Sequence, residues 1–230
     1  MSLLKLEHID KIYQQGQIQV HALSDINLEV DESEFAALVG PSGSGKTTLL
    51  NIIGGLDTAS TGHIHINSSN IAELNEQELS KFRLFELGFI FQAYNLVPVL
   101  SALENVELVM VLQGRPHKER SQRAKHYLEI VGLQDMMHRR PSELSGGQQQ
   151  RVAVARALAA GPRLVLADEP TANLDSENAS ALLDIMFKLA LEEKTTFLFS
   201  THDPRVMERA KRIITLSDGK IINDENVNNE

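Results

Sequence analysis

Residues 35–50 read FAALVGPSGSGKTTLL, and this stretch decides the fold. Its apolar start, Phe35 to Gly40, is typical of a strand buried on both faces. A glycine-rich loop follows, and good helix-forming residues begin at Lys46. The loop satisfies the pattern G-x-x-x-x-G-K-[ST] in full, in which backbone N–H groups surround phosphate oxygens and the helix start adds partial positive charge. Strand, loop and helix in this order predict a phosphate-binding loop in an α/β fold.

We expect this loop to bind the phosphates of a nucleotide. Lys46 is expected to reach the β- and γ-phosphates and to assist the reaction, and the Thr47 hydroxyl is expected to ligate Mg²⁺. The predicted nucleotide-binding residues are Gly40, Pro41, Ser42, Gly43, Ser44, Gly45, Lys46, Thr47 and Thr48. A turn that matches the pattern by chance is the alternative, and the flanking strand and helix disfavour it.

A second apolar strand, RLVLAD, ends in acidic residues at Asp168 and Glu169. Ligands of open parallel sheets lie beyond the carboxyl ends of the strands, so Asp168 is predicted to hold Mg²⁺ and Glu169 to act as general base on water. An exposed acidic turn before Pro170 is the alternative. His202 follows the strand pattern TFLFST and is a candidate γ-phosphate sensor, although a lone histidine is often structural.

The stretch ELSGGQQQR, Glu143 to Arg151, predicts a second glycine-led helix start. Pro141 breaks any earlier helix, and Ser145 with Gln148 fits the S-x-x-Q capping box. A helix N-terminus that carries two glycines is a second anion site. A glycine-rich cap without a ligand is the alternative.

Strand and helix patterns alternate along the rest of the chain. Strands are predicted at Leu3–Leu6, Ile26–Val30, His63–Ile66 and Gly88–Gln92, helices over 102–160 and at Asn178–Leu191, and a last hairpin around Asp218-Gly219. Buried strands that alternate with helices predict an α/β fold with a mostly parallel sheet, and the helical stretch in the middle predicts an inserted subdomain. Residues 223–230 are polar and are expected to be frayed.

Composition narrows the class of protein. The chain has 230 residues, a net charge of −9 and no cysteine. The acidic balance argues against a nucleic-acid binder that relies on bulk electrostatics. Without cysteine, a disulfide, a thiolate metal site and a nucleophilic thiol are all excluded. The N-terminus does not read as a signal peptide, and no apolar run approaches the length of a membrane span.

The segment LSGGQ, Leu144 to Gln148, lies between GPSGSGKT and LVLADEP, and in that order it resembles the nucleotide-binding subunits of ATP-binding cassette (ABC) transporters. The resemblance covers about residues 3–222. It implies one ABC ATPase domain over 1–230, with a P-loop NTPase core and an N-terminal antiparallel β subdomain in 1–92 and 159–222, a helical subdomain in 93–158 and a polar tail in 223–230.

The resemblance also implies roles for further residues. Two subunits of this family pair head to tail, so Ser145, Gly146, Gly147 and Gln148 would close over the γ-phosphate that the partner's loop holds. Tyr13 would stack on adenine, Gln92 would touch Mg²⁺ and link the site to a membrane partner, and His202 would be the switch histidine. Asn173, Leu174 and Asp175 would cross the dimer interface, with N-L-D in place of the familiar S-A-L-D ending. By themselves, Tyr13 reads as an ordinary core or surface tyrosine and Gln92 as merely polar.

The segments GGLDTASTGHI and LGFIFQAYNLVPVLSALENVEL resemble the lipoprotein-releasing, macrolide-exporting and cell-division group, with Ala172 where glycine is usual. This implies ATP and Mg²⁺ as cofactors, a homodimer, no nucleic acid, and a four-helix permease with a large extracytoplasmic domain. The subunit would lie at the cytoplasmic face of the inner membrane. AYNLVPVL, residues 93–100, would dock the permease unless it packs as ordinary core. The basic run at 115–126 is either a lipid-facing patch or a solvated helix face.

Two other functions remain open at this point. A regulatory module would use ATP binding to signal through a membrane protein to a cell-wall enzyme, and nothing in the chain excludes it. A soluble ABC ATPase acting on DNA or ribosomes is disfavoured by the single cassette, the lack of a heptad arm and the acidic balance. The cargo is not readable from the sequence.

Overall fold

The computed structural model describes residues 2–16 and 18–227. Its strands are β1 (Ser2–Gln15), β2 (Ile18–Asp31), β3 (Phe35–Val39), β4 (Thr61–Ile66), β5 (Ser69–Asn70), β6 (Leu87–Ile90), β7 (Leu164–Asp168), β8 (Thr196–Thr201), β9 (Arg212–Ser217) and β10 (Lys220–Asn226). Its α-helices are α1 (Lys46–Ile53), α2 (Glu76–Glu86), α3 (Ala102–Leu112), α4 (His117–Ile130), α5 (Gly146–Ala159), α6 (Ser176–Glu193) and α7 (Pro204–Arg209). The backbone forms two compact units: a first unit of Met1–Arg83 with Thr196–Glu230, and a second unit of Leu84–Thr195.

The first unit contains an antiparallel sheet of four strands in the order β2-β1-β4-β5. Residues of β2 alternate between buried and exposed from Ile26 onward, as expected for a sheet with one face on the core. The antiparallel N-terminal sheet is therefore confirmed. Both strands of its long hairpin extend well beyond the predicted 3–6 and 26–30, and α2 was not predicted at all.

The first unit also carries the strand that leads into the phosphate loop. β3 runs parallel to β8 on one side and to β9 on the other, while β9 and β10 form an antiparallel hairpin. Residues Phe35 to Leu38 are buried, which explains the unbroken apolar run. The hairpin turns at Asp218 and Gly219, both with positive φ, as predicted.

The expectation that residues 223–230 fray is wrong for 223–226. β10 continues to Asn226, paired with Arg212 of β9. The Arg212 guanidinium holds the strand because its Nε and Nη2 donate to the two carboxylate oxygens of Asp224, at 2.6 and 2.7 Å. Residues 228–230 of the predicted tail lie outside the described residues.

The second unit combines a pair of parallel strands with helices. β6 and β7 pair from Leu87↔Leu164 to Ile90↔Ala167, and α3, α4 and α5 pack on one another. The predicted helical region at 102–160 is confirmed in type. The strand predicted at Gly88–Gln92 ends earlier, at Ile90, and Gln92 lies beyond it in an exposed turn. The subdomain boundaries themselves stay a prediction.

No helix in the described part of the chain is long and apolar enough to cross a membrane.

Candidate functional site

The phosphate loop is packed against its own unit through two of its glycines. Gly40 has φ 152°, and a Cβ there would overlap the carbonyl oxygen of Leu216 on β9. Gly45 has φ 104° and leads into α1, and a Cβ there would lie 2.6 Å from the Ala22 carbonyl oxygen. Side chains rarely adopt these conformations, so both positions require glycine for backbone reasons.

The middle of the loop has the features of an anion cradle. Gly43 has φ 81°, and a Cβ built there meets nothing within 4 Å. The Ser44 hydroxyl oxygen is buried and has no hydrogen-bond partner. Lys46 is 8% exposed and its Nζ donates to the carbonyl oxygens of Gly40 and Pro41, at 2.8 and 3.1 Å. Open space beside Gly43, a buried hydroxyl without a partner and an ammonium held at a helix start fit a phosphate group.

Tyr13 lies near the end of β1 with its hydroxyl tied down. Its Oη donates to Asp57 Oδ2 at 2.6 Å, and the Lys11 ammonium lies 4.7 Å from its ring centroid. Burial and the hydrogen bond to the Asp57 carboxylate raise the pKa of the Tyr13 hydroxyl above its ordinary value. The tyrosine is partly buried.

His202 emerges at the same sheet edge as the phosphate loop. Val39 of β3 pairs with Thr201 of β8 in a parallel register. Gly40 directly follows Val39, and His202 directly follows Thr201. The turn after His202 is fixed, because Asp203 donates its N–H to Thr201 Oγ1 at 2.9 Å. His202 itself is exposed. The structure therefore brings His202 and the loop to one edge.

Three polar residues lie at the carboxyl ends of the parallel pair in the second unit. Because Ile90 pairs with Ala167, Asp168 and Gln92 both follow the paired region. A carboxylate and an amide oxygen suit Mg²⁺, which prefers oxygen ligands. Glu169 comes next, with φ 47°, a left-handed conformation that is rare for a residue other than glycine and is further disfavoured before proline.

The strained turn at Glu169 is held by a buried amide. Gln150 of α5 is fully buried, and its Nε2 donates to the carbonyl oxygen of Pro170 at 2.8 Å. Backbone outliers of this kind cost about 1–3 kcal/mol and persist where the surroundings enforce them, often at functional sites.

The predicted capping box at the start of α5 is confirmed. Ser145 Oγ accepts from the Gln148 N–H at 3.3 Å, and Gln148 Oε1 accepts from the Ser145 N–H at 2.9 Å. Gly146 has no unusual φ, yet a Cβ there would lie 2.7 Å from Tyr94 Oη. The first glycine of this segment therefore makes room for a tyrosine hydroxyl.

The segment Asn173-Leu174-Asp175 connects two regions of the second unit. Asn173 Nδ2 donates to the Gln92 carbonyl oxygen at 3.0 Å. Asp175 caps α6 by accepting the Asn178 N–H at 2.9 Å, and this bond with the Asn178 side-chain bond lowers the pKa of its carboxyl. A Cβ built at Gly147 would lie 3.5 Å from Cγ of Asn178, which places the Asn178 side chain beside the start of α5. The segment is thus tied both to the turn at Gln92 and to the start of α5.

Sequence reasoning missed several residues that position these groups: Lys11, Asp57, Tyr94, Gln150, Arg156 and Asn178. One signal was available for Gln150. It shares the helical spacing of the buried residues Val154 and Leu158, and a polar residue at a core position usually has a specific partner. The other contacts depend on tertiary packing that spacing does not reveal.

The chain belongs to the ABC transporter ATP-binding family: the family model described as "ABC transporter" matches residues 23–172. It is 46% identical over 219 residues to an uncharacterized ABC transporter ATP-binding protein of Thermotoga maritima, covering 95% of this chain and 93% of that protein. It is 44% identical to the macrolide export ATP-binding/permease protein MacB of Aggregatibacter actinomycetemcomitans, covering 97% of this chain but 35% of that longer protein.

Solved structures agree with this assignment. The ATP-binding cassette MJ0796, from Methanocaldococcus jannaschii, was solved as a dimer in a post-hydrolysis state bound to ADP and Pi. Its structure superposes with a TM-score of 0.92 at 41% identity, covering 99% of this chain and 100% of that one. The chain is therefore an ATP-binding cassette of an ABC transporter and an ATPase, with the expected α/β P-loop NTPase fold.

Proposed function

We propose that this cassette hydrolyses Mg-ATP within a head-to-tail pair of its own chains and thereby drives a membrane permease. The observation that carries the proposal is the presence of two separate anion-binding geometries, the cradle before α1 and the glycine-led start of α5. The dimeric ADP-bound state of MJ0796, at 41% identity, supports the pairing.

The cradle binds the phosphates, and the Tyr13 ring stacks on the adenine base. Ser44, Lys46 and the loop N–H groups hold the phosphate oxygens, with Lys46 exchanging its carbonyl partners for the β- and γ-phosphates. Exchange is favourable because a phosphate carries full negative charge and a carbonyl only a dipole.

Mg²⁺ would be held by Thr47, Gln92 and Asp168, all of which offer oxygen ligands. When bound, the ion neutralises charge on the β- and γ-phosphates. Glu169 orients and deprotonates the attacking water. Its left-handed backbone conformation sets the direction in which the side chain leaves the main chain. His202 holds the γ-phosphate from the edge it shares with the loop.

The start of α5 would serve the partner's nucleotide. The capping box satisfies the N–H groups of Ser145 and Gln148 internally, while the N–H groups of the first helical turn have no intrahelical partner. The N–H groups of Gly146 and Gly147, the Ser145 hydroxyl and the Gln148 side-chain amide would therefore form a donor surface that suits a γ-phosphate held by a second chain. Asn173, Leu174 and Asp175 cross the interface beside it.

Residues 93–100 have the properties of a docking surface. Val99 is 70% exposed, so the segment is not ordinary core. Its backbone is fixed by the fully buried Asn105, whose amide bonds Val97 and Leu100, and by Arg156, which donates to the Tyr94 carbonyl oxygen. A rigid backbone that displays apolar side chains suits an apolar partner helix.

The partner would be an integral membrane permease, of the four-helix type with a large extracytoplasmic domain, and the cassette would lie at the cytoplasmic face of the membrane. MacB, which is named as an ATP-binding/permease protein, supports a permease of the macrolide-export group. Extrusion or release of a lipophilic substrate, lipoprotein or peptide is the proposed output.

The basic run at 115–126 contributes to packing. Arg115 Nη2 donates to the Ala160 carbonyl oxygen at 2.7 Å, and Arg123 Nε donates to that of Ala159 at 3.0 Å. Arg120 pairs with Glu107 at 3.1 Å. These arginines anchor α4 to its neighbours, so we assign the run no lipid-binding role.

Complementation between inactive subunits tests the shared site. Ser145→Arg damages the donor surface at the start of α5 and Lys46→Ala damages the cradle, so each variant alone should be inactive. In a head-to-tail heterodimer one site carries both lesions and the other carries neither. Random pairing of equal amounts therefore restores about a quarter of wild-type ATPase activity. Mixtures no more active than the separate variants contradict the shared geometry.

Glu169→Gln tests the chemistry. It should retain ATP, cut hydrolysis at least about a hundredfold and accumulate an ATP-dependent dimer, since a general base is worth about that much. Unchanged turnover removes the base assignment.

Copurification from membranes identifies the partner. A copurifying permease supports the transport role. A division-site protein would support the signalling role instead, and nucleic acid would support a role on DNA or ribosomes.

A further inference from the structure

Tyr13 is fixed relative to the phosphate cradle by its hydroxyl. Tyr13 Oη donates to Asp57 Oδ2 at 2.6 Å, and the Asp57 N–H donates to the Asn51 carbonyl oxygen at 3.2 Å. Asn51 lies in the last turn of α1, the helix that starts at the loop residue Lys46. The ring is therefore attached to the same helix that presents the cradle.

Lys11 fixes the other side of the arrangement. It is 9% exposed, and its Nζ donates to Asp57 Oδ1 at 2.6 Å and to the Thr58 carbonyl oxygen at 2.7 Å. The same ammonium lies over the Tyr13 ring, 4.7 Å from its centroid. A cation on one face of the ring directs a stacking base to the opposite face.

The Asp57 carboxylate is the centre of the cluster. It accepts from Lys11, from Tyr13 and from the Thr58 N–H at 2.7 Å. Burial alone would raise the pKa of this carboxyl, but the three hydrogen bonds outweigh burial and lower the pKa below its ordinary value. The Asp57 carboxyl is thus ionised at neutral pH, and its hydrogen bonds are charge-assisted.

We propose that Asp57 and Lys11 are positioning residues that hold Tyr13 as a preformed platform for the purine base. This inference deepens the proposed function and rests on its assignment of Tyr13 to the base. A platform ordered in advance avoids the entropy cost of ordering an aromatic side chain on binding, which corresponds to about a two- to tenfold change in affinity.

The test compares two ligands that share the cradle and differ in the base. Magnesium ADP and magnesium pyrophosphate are titrated calorimetrically against the full chain, and the ratio of their affinities isolates the base. Tyr13→Phe keeps the ring and the Lys11–Asp57 pair and removes only the hydroxyl, so the ADP-to-pyrophosphate ratio should fall about two- to tenfold. Asp57→Asn should lower it similarly, and adding Asp57→Asn to Tyr13→Phe should lower it little further.

Two controls give the measurement its reference points. Tyr127→Phe removes a buried hydroxyl in the second unit and should leave the ratio unchanged. Tyr13→Ala removes the stacking surface and should lower the ratio about ten- to a hundredfold.

The outcomes separate this inference from the proposed function. If Tyr13→Ala leaves the ratio unchanged, Tyr13 does not bind the base and the proposed assignment fails. If Tyr13→Ala lowers the ratio but Tyr13→Phe and Asp57→Asn do not, the base assignment holds and the positioning role is overturned. Equal loss of ADP and pyrophosphate in Tyr13→Phe also overturns it, because the cluster would then act on the cradle.

Discussion

Gly40 and Gly43 lie in the same loop but should respond differently to a single added methyl group. At Gly40 the methyl overlaps the Leu216 carbonyl oxygen, which belongs to the backbone of β9 and cannot rotate away. At Gly43 it meets nothing within 4 Å. The first glycine is therefore required by the fold, whereas the second is proposed to leave room for phosphate.

The size of each effect follows from these surroundings. Gly40→Ala combines a disfavoured backbone conformation, about 1–3 kcal/mol, with overpacking, about 1–3 kcal/mol. Gly43→Ala carries only the conformational cost of about 1–2 kcal/mol. In urea unfolding without nucleotide, Gly40→Ala should therefore have a midpoint about 1 M below that of Gly43→Ala.

The affinity for nucleotide should depend on Gly43, the position at which substitution destabilises the fold less. Calorimetric titration with magnesium ADP should find at least about a tenfold loss for Gly43→Ala in a protein that remains folded, because the methyl would occupy the space proposed for phosphate. Equal urea midpoints for the two variants, or wild-type ADP affinity in Gly43→Ala, would refute the division of roles between the two glycines.

Three further predictions follow from contacts elsewhere in the molecule. Gly146→Ala should lower thermal stability in the wild-type background but raise it in Tyr94→Phe, because only the tyrosine hydroxyl is in the way; the same sign in both backgrounds contradicts this. Gln150→Leu should reduce kcat about tenfold at unchanged ADP affinity, because the strained turn at Glu169 loses its anchor, and a parallel loss of ADP affinity argues instead for general damage. The folded-state pKa of Asp57 is depressed, so its stabilising contribution exists above about pH 5 and is lost as pH falls below about 4. The urea-midpoint difference between wild type and Asp57→Asn should shrink over that range, and a difference independent of pH removes the assignment.

Local patterns were sufficient for the phosphate loop, the buried strands and the α5 cap. Phe35 to Leu38 form a strand because an unbroken apolar run can only be buried, and the Ser145 cap depends on residues three apart. These features are set by neighbours in sequence, so spacing predicts them. The positions of Glu169 and His202 after buried strands suggested their roles, and resemblance added that the LSGGQ residues serve a partner subunit; all three assignments remain proposals.

Contacts between residues far apart in the chain could not be predicted from sequence patterns. The extension of β10 to Asn226 depends on Arg212, which fastens the polar residue Asp224 from a neighbouring strand. The tie between Tyr13 and Asp57 joins residues 44 positions apart. Polar residues such as these look solvated in the sequence because their partners are distant along the chain.

Helix α5 contacts other segments of the second unit at its start, near its middle and towards its end, so it can link their positions. Its 14 residues extend about 21 Å at 1.5 Å per residue. At the start of the helix, Gly146 lies next to the Tyr94 hydroxyl. Gln150, one turn further, donates to the Pro170 carbonyl oxygen, and Arg156, towards the end, donates to the Tyr94 carbonyl oxygen. Because a regular helix resists compression, a displacement of Gly146 would be transmitted along α5 to the turn at Glu169 and to residues 93–100 together.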